Sequence, residues 1–297
     1  MSQSVIDEPI SVSRAQVRSQ RHNAWFELIL RSPASMAGLL IAIAAIGIGL
    51  FANILAPHDY AAVDVTQRFL PPSLGHPFGT DEFGRDLLSR VIFGARTSLI
   101  VALSSTLVGA TLGVVLGVTA GYFGRASDEA IMRLMDIMLA FPSIVLGIAL
   151  ATVLGPSISN LALIIGFIQI PAFARVARSS TLVVKAQEYV VAARTLGQSN
   201  AGIMIRHVVP NILGPLVVLA SLTVPGAIVT EAALSFLGLG VQPPTPSWGN
   251  LVFDGTRFIY SYPLLVALPG IVLSIAVLGF NLLGDGLRDV LDPRSRR

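Results

Sequence analysis

The sequence predicts an all-α, polytopic membrane protein with six transmembrane helices. Composition and chain length support this fold class. Hydrophobic residues make up 53% of the 297-residue chain and charged residues only 12%, and the mean hydropathy is +0.74. Soluble domains carry about 25% charged residues. Because a helix needs about 20 apolar residues to cross a bilayer, a chain of this length has room for about six spans joined by modest loops.

Six apolar segments follow one another along the chain. Helices are their expected form, because hydrocarbon offers no water to an open backbone. The fourth segment is short, and Pro171 near its end predicts a kink or an early exit, since proline removes a helical hydrogen bond. The predicted spans are Met36–Ala56, Thr97–Phe123, Ile137–Leu154, Leu161–Ala174, Ile212–Thr230 and Pro263–Leu283.

The distribution of lysine and arginine predicts the orientation. If the N-terminus is cytoplasmic, 15 of the 20 Lys and Arg residues lie on the cytoplasmic side and 5 on the other. Cytoplasmic loops carry an excess of these residues, so both termini are predicted to lie inside. The chain then divides into a cytoplasmic tail (1–34), a first span with an external segment (35–96), a transmembrane core (97–285) and a second cytoplasmic tail (286–297). The first apolar run is of full spanning length, which predicts an uncleaved helix and not a signal peptide.

The external segment is predicted to be irregular at first and helical later. Pro71, Pro72 and Gly75 break regular structure early in it. After Gly84, apolar residues recur at helical spacing, which predicts a helix lying on the membrane surface before the second span. The alternative is a direct extension of that span. The apolar residues concerned are Leu87, Leu88, Val91, Ile92 and Ala95.

A polar loop at residues 185–210, between the fourth and fifth spans, is predicted to form two short helices around a turn. Gly197 ends the first helix, because glycine takes the left-handed conformation at no steric cost. Ser199 or Asn200 can cap a second helix that ends before Pro210, and Pro210 suits the first turn of the fifth span. Read from spacing alone, an ordinary amphipathic connector is the alternative.

Small and charged residues in the same loop suit a docking surface. Ala192 and Ala193 would permit close approach by a partner protein, and Glu188, Arg194 and Arg206 surround them with charge. A loop of this kind on the cytoplasmic side has the form of a lever that another protein could hold. The sequence therefore predicts a partner at this loop.

Five stretches carry a resemblance to a known family. Taken together in this order and spacing, they resemble the permease subunits of ABC importers, in the branch formed by the C-type subunits of dipeptide, oligopeptide, nickel and glutathione importers. Within the loop motif of that family, Val191 stands at the position of the first acidic residue and His207 at a usually aliphatic one. The stretches are HPFGTDEFGRDLLSRVIFGARTSL (76–99), MRLMDIMLAFPSIVLGIAL (132–150), EYVVAARTLGQSNAGIMIRHVVPN (188–211), TEAALSFLGLGVQPPTPSWGNLV (230–252) and FNLLGDGLRDVLDP (280–293).

The resemblance implies the type I ABC importer permease fold and half of a translocation path in the bacterial inner membrane. It implies a second homologous permease, two ABC ATPase subunits and an extracytoplasmic substrate-binding protein as partners, and no nucleic acid. ATP and Mg²⁺ would bind to the ATPases, since this chain has no GxxxxGK[ST] loop. Peptides are the implied substrates, with nickel complexes or glutathione as neighbours. The resemblance also implies that the loop residues that couple the permease to the ATPases are Glu188, Ala192, Ala193, Gly197, Arg206 and Pro210.

Two other classes of protein make distinct predictions. An ion-coupled secondary transporter usually places ionisable residues inside its spans, and the candidates are Asp136, Glu231 and Asp285. Asp136 and Asp285 lie at span ends beside Arg133 and Arg288, which predicts interfacial pairs. Glu231, near the outer end of the fifth span, could line the translocation path, cap a gate or lie at the interface. None of the four histidines lies in a predicted span.

A membrane enzyme would need a cluster of nucleophiles, bases or metal ligands at one membrane face. The sequence has no HExxH and no GxSxG motif, and His76 with Asp81 in one outer loop does not make a site. We therefore expect no catalytic residue, cofactor or metal site on this chain. Trp248 and Tyr260, in a loop rich in glycine and proline, are predicted to anchor at the interface or to contact the binding protein.

Glycines in the second span predict a close helix pair. Gly109, Gly113, Gly117 and Gly121 recur every four residues, the spacing that lets a neighbouring helix approach closely. Packing inside this chain is the simpler interpretation, and contact with a second permease is the alternative.

Overall fold

Helices form the regular structure of the computed structural model, which describes residues 32–291. An isolated bridge between Thr80 and Asp86 is the only β-pairing within this range. The predicted all-α class is confirmed. The predicted terminal tails lie largely outside the described residues, although the last helix passes the predicted boundary at residue 285 and ends at Leu291.

Local sequence signals fix where several helices begin. Ser32, Asp86, Ser157 and Ser247 each accept a backbone N–H with the side chain at a helix N-cap, which satisfies a donor that the helix itself leaves open. In chain order the helices are α1 (Pro33–Leu50), α2 (Ala52–Leu55), a 3₁₀ turn (Val65–Gln67), α3 (Leu87–Phe123), α4 (Arg125–Leu139), α5 (Ser143–Leu154), α6 (Ile158–Lys185), α7 (Glu188–Thr195), α8 (Asn200–Ile203), a π-helical turn (Met204–Val208), α9 (Val209–Phe236), α10 (Trp248–Thr256) and α11 (Leu264–Leu291).

Within residues 32–291, five helical segments are long and apolar enough to cross a membrane, and a bent pair can supply a sixth span. The bent pair corrects the third predicted span. Residues 137–154 do not form one straight helix, because α4 and α5 meet at 90° across a break that contains Pro142. The residue before a proline is disfavoured in the helical region, so the chain turns there.

Two helix boundaries differ from the first expectation. The residues after Gly84 do not form a separate surface helix; the alternative, a direct extension of the second span, is confirmed, because α3 runs unbroken from Leu87 through that span. The fourth span does not end near Pro171 either, since α6 continues to Lys185. Ile170 and Phe173 beside that proline are almost fully buried. Packing around Pro171 therefore accompanies a helix that continues where local sequence predicts an early exit.

The glycine ladder brings α3 and α6 into backbone contact. A Cβ placed on Gly113 would lie 2.5 Å from the Cβ of Phe173, and one on Gly117 would lie 2.2 Å from the carbonyl oxygen of Ala174. Gly109 and Gly121 meet the same helix at 2.8 Å. The prediction that these glycines pack within the chain is confirmed.

We expect Gly117→Ala to destabilise the protein by about 1–3 kcal/mol, because the added methyl group must push two helix backbones apart. Gly226→Ala is the matched control, since a Cβ there meets no atom within 4 Å. Thermal unfolding of the two purified variants in detergent measures the difference. Equal midpoints would show that the α3–α6 contact tolerates an extra carbon.

A buried ion network attaches the external segment to the start of α3. Asp81 accepts hydrogen bonds from the guanidinium groups of Arg85 and Arg90, the former at 2.7 Å. Arg90 also lies 3.8 Å from Asp254 on α10. Asp81 and Arg90 are 3% and 2% exposed. The network thus ties three separate parts of the chain together beside α3.

Candidate functional site: residues 185–210

The loop at residues 185–210 turns at Gly197, as predicted. Gly197 has φ of +79°, its N–H donates to the carbonyl of Arg194, and the N–H of Gln198 donates to the carbonyl of Ala193. These two bonds form a Schellman motif, which satisfies carbonyls left open at a helix end. The backbone conformation itself therefore strongly favours glycine at this position.

The second helix of the loop begins as predicted but does not end where expected. Ser199 caps α8 by accepting the N–H of Gly202 at 3.2 Å. The helix does not stop before Pro210; it continues through the π-helical turn into α9. Pro210 has no N–H to donate to the carbonyl one turn earlier. The wider π-helical turn forms a hydrogen bond next to it, in which the N–H of Val209 donates to the carbonyl of Met204.

The two faces of α7 differ in what they contact. Val190 and Ala193 are buried against the chain's own core, so Ala193 is not available to a partner and that expectation is wrong. Ala192 is exposed, and Val191 and Leu196 beside it are 53% and 88% exposed. The predicted charges of Glu188 and Arg206, like the ring of Pro210, are exposed as well. The loop thus presents an uncovered apolar surface with charge around it.

The end of α3 supports the buried side of this loop. The hydroxyl of Tyr122 donates to the side-chain oxygen of Asn200 at 2.9 Å. Lys185 donates to the carbonyls of Gly121 and Tyr122 at 3.2 and 2.7 Å, and the guanidinium of Arg194 lies 5.4 Å from the Tyr122 ring centre. Residues before, within and after α7 thus converge on one tyrosine. Sequence reasoning missed this role, since an aromatic residue at a span end suggests only a membrane anchor.

His207, which departs from the family pattern, braces the turn. Its Nε2 lies 3.0 Å from the side-chain oxygen of Gln198, the residue that follows Gly197. The carbonyl of His207 accepts from the side chain of Asn211 at 2.6 Å. The π-helical turn and the glycine turn are therefore linked by a side-chain hydrogen bond.

Glu231, the predicted path or gate residue, lies inside the protein at the end of α9 away from the loop. Its carboxylate accepts hydrogen bonds from Ser98 at 2.9 Å and Ser235 at 2.7 Å, and it is fully buried. Ser98 also accepts the backbone N–H of Trp248 at 3.2 Å. Glu231 therefore joins α3, α9 and α10, and the prediction of an interfacial carboxylate is wrong.

Trp248 also lies elsewhere than expected. It is 1% exposed and its indole N–H donates to the carbonyl of Val91 at 3.2 Å, so it does not anchor at the interface. Ser247 and Asn250 form a capping box around it, and the predicted irregular loop therefore contains the helix α10. Tyr260, by contrast, is fully exposed.

Asp136 forms an exposed ion pair, but with a different partner from the predicted Arg133. Its carboxylate accepts from Arg175 at 2.7 Å, and both side chains are about half exposed (55% and 53%). Arg175 lies on α6 beyond the predicted end of the fourth span, so the pairing could not be seen until that helix was known to continue. The pair links α4 to α6.

Residues 113–297 match the family described as binding-protein-dependent transport system inner membrane component. The chain belongs to this family. Residues 19–72 of the permease also match the N-terminal transmembrane domain of oligopeptide transport permease C. The two matches cover the first span with the beginning of the external segment, and the chain from the middle of α3 onward.

Curated relatives cover the permease over nearly its whole length. It is 42% identical to the dipeptide transport system permease protein DppC of Alkalihalophilus pseudofirmus, over 91% of this chain and 89% of the relative. It is 41% identical to the probable D,D-dipeptide transport system permease protein DdpC of Escherichia coli K12, over 98% of each chain. The glutathione transport system permease protein GsiD of Escherichia coli O157:H7 is 40% identical, over 99% of this chain and 97% of the relative. The predicted C-type ABC importer permease is confirmed.

Proposed function

We propose that this permease forms half of the translocation path of an ATP-driven importer of peptides or related small solutes. A second homologous permease would supply the other half, and an extracytoplasmic binding protein would deliver the solute. Two ABC ATPases would bind ATP and Mg²⁺ and dock at residues 185–210. The relatives, named as permease proteins of dipeptide, probable D,D-dipeptide and glutathione transport systems, support the substrate class.

The observation that supports ATPase docking at this loop is the contrast between the two faces of α7. An exposed apolar surface around Val191 and Leu196 rests on a helix whose other face is buried. Exposed apolar surface on a soluble part of a protein marks a contact site. Because Tyr122, Lys185 and Asn200 tie the loop to α3 and α6, a push on the loop reaches two spans directly. This arrangement suits rigid-body switching between two states.

Purification and reconstitution test the assembly. The tagged permease, taken from its host in mild detergent, should bring with it a second permease and ABC ATPase subunits. In liposomes, with binding protein added, peptide uptake should require ATP. Uptake driven by an ion gradient without ATP would contradict this function and favour an ion-coupled transporter.

The coupling role of Tyr122 gives a separate prediction. Tyr122→Phe removes one hydrogen bond, about 0.5–1.5 kcal/mol, and we expect uptake per ATP hydrolysed to fall about two- to tenfold. ATPase subunits should still co-purify, since the exposed surface is untouched. Tyr262→Phe is the control, because that ring stacks on Phe69 far from the loop. If uptake per ATP hydrolysed is unchanged in Tyr122→Phe, the hydroxyl of Tyr122 has no part in coupling.

The absence of cysteine from the chain allows a clean test of the proposed orientation, with both termini cytoplasmic. Leu74 in the external segment and Leu196 in the loop are both highly exposed (105% and 88%). In intact spheroplasts, a membrane-impermeant maleimide should label Leu74→Cys. Leu196→Cys should react only after permeabilisation. The opposite pattern would invert the proposed topology.

A further inference from the structure

We propose that His58, His76 and Asp86 form a binding site for a divalent transition-metal ion such as Zn²⁺, at the end of the molecule opposite the 185–210 loop. One ring nitrogen of each histidine and one carboxylate oxygen of Asp86 lie within 4.8 Å of one another. Small side-chain movements would bring such atoms to the roughly 2 Å bonds that Zn²⁺ makes with nitrogen and oxygen. The three residues come from distant points of the external segment and from the cap of α3.

Hydrogen bonding fixes which nitrogen His76 offers. Its Nε2 lies 3.0 Å from the side-chain oxygen of Gln67, and the amide nitrogen of Gln67 donates to Asp64 at 2.9 Å. Hydrogen bonds from Thr66 hold the pKa of Asp64 below its usual value, so this carboxylate only accepts. The Gln67 oxygen must then face His76, and His76 carries its proton on Nε2. A neutral ring therefore has a free lone pair on Nδ1.

The atom that Nδ1 faces is also an acceptor. Oδ1 of Asp86 lies 2.9 Å away, while the other oxygen, Oδ2, accepts both the N–H and the hydroxyl of Ser89 at 2.7 Å. Two lone pairs thus point at each other, and a cation is required between them. A proton meets that need at the present 2.9 Å. A metal ion meets it after the two atoms move apart to about 3.3 Å, the separation of two ligands bound at about 2 Å to a tetrahedral ion.

His58 is oriented in the same way. Its Nε2 lies 2.8 Å from the carbonyl of Gly75, which only accepts, so the proton is on Nε2 and Nδ1 is left for a ligand. Its ring lies 4.6 Å from that of His76, centre to centre. Metal-binding histidines characteristically donate their second nitrogen to a carbonyl or carboxylate, and that contact orients the ring. Both histidines have such a partner, Gly75 for one and Gln67 for the other.

A cavity beside the cluster has room for the ion and its water ligands. Its volume is about 200 Å³, and Asp59 and Asp64 are among the residues that line it. The excess of negative charge there favours a cation. Two imidazole nitrogens with carboxylate oxygen suit Zn²⁺, Co²⁺, Ni²⁺ or Cu²⁺, whereas Ca²⁺ and Mg²⁺ prefer oxygen alone.

Bound metal would close the external segment onto the start of α3. His58 precedes the irregular region, His76 lies in the middle of it, and Asp86 caps the helix. An ion that binds only the folded arrangement stabilises it by mass action. The ion would therefore hold the external segment against the start of α3, whichever solute the permease transports.

Isothermal titration of the full-length permease with ZnCl₂ tests the site, after EDTA treatment and with an affinity tag free of histidine. We expect one Zn²⁺ per chain, with Co²⁺ giving visible d–d absorption from a nitrogen-containing site. His58→Ala and His76→Ala should each weaken binding at least about tenfold, and Gln67→Leu, which leaves all three ligands in place, about 10–100-fold. The matched control is the double variant His22→Ala/His207→Ala, which retains only the other two of the chain's four histidines and should bind like the wild type.

Two results would overturn the site. Either the wild type binds no Zn²⁺, which would mean that a proton fills the gap between His76 and Asp86, or binding survives in His58→Ala and is lost in the double control variant. If His76→Ala fails to fold because the cap of α3 is disturbed, His58→Ala decides the matter. The only side-chain hydrogen bond of His58 among the described residues is to a backbone carbonyl.

Discussion

Gly197→Leu should leave the permease in the membrane and reduce ATP-driven uptake about 5–30-fold. A leucine in the left-handed conformation costs roughly 1–2 kcal/mol, which is a factor of about 5–30 in the population of the correct turn. The cost comes from the backbone alone, since a Cβ at Gly197 meets no atom within 4 Å. The Schellman turn would open, and the apolar surface of α7 would lose its fixed angle to α3.

Gly238→Leu is a matched control for this experiment. Gly238 has φ of +77°, a Cβ there also meets no atom within 4 Å, and the same pair of hydrogen bonds, from Gly238 N–H to Ser235 and from Leu239 N–H to Leu234, closes the end of α9 there. Both variants therefore carry a similar backbone cost, and only Gly197→Leu should lose uptake and ATPase co-purification. If both lose uptake equally, the effect is one of general stability; if neither does, the turn has no part in coupling.

Asp81→Asn should cause the largest loss of stability, about 3–5 kcal/mol, because it leaves buried charges without their partner. Asp81 is the acceptor shared by the guanidinium groups of Arg85 and Arg90. Without its charge, the ion-pair partners left among residues 32–291 are Glu82, 3.9 Å from Arg85, and Asp254, 3.8 Å from Arg90. Asparagine preserves the size of the side chain, so the effect reports charge and not packing.

Asp136→Asn is the control with the same chemical change. Its ion pair with Arg175 is about half exposed on both sides, and pairs of this kind contribute little to stability. Thermal unfolding in detergent should therefore show a large shift for Asp81→Asn and almost none for Asp136→Asn. Similar midpoints would mean that water reaches the network around Asp81.

The sequence predicts the parts of this molecule that depend on composition and on single residues. The length of the apolar segments indicates the spans, and glycine at 197 indicates the turn, because glycine takes the left-handed conformation at no steric cost. The glycine ladder in α3 was also readable, since small residues at four-residue spacing have few other uses in a span. The position of the candidate loop and its turn is therefore predictable from the sequence.

Contacts between distant residues could not be predicted. Pro171 ends a helix in isolation, and only the packing of Ile170 and Phe173 shows why α6 continues. Tyr122 braces a loop that begins 63 residues later at Lys185, and no local pattern marks that role. The same holds for Glu231, whose serine partner on α3 is 133 residues away.

The close approach of α3 and α6 has a consequence for how the permease can move. Where backbone lies on backbone, with Gly117 on the carbonyl of Ala174, neither helix can slide or roll without a steric clash. The two helices must move as one rigid body, and α3 alone is about 55 Å long at 1.5 Å per residue. A tilt applied to one end of the pair therefore turns the other end with it.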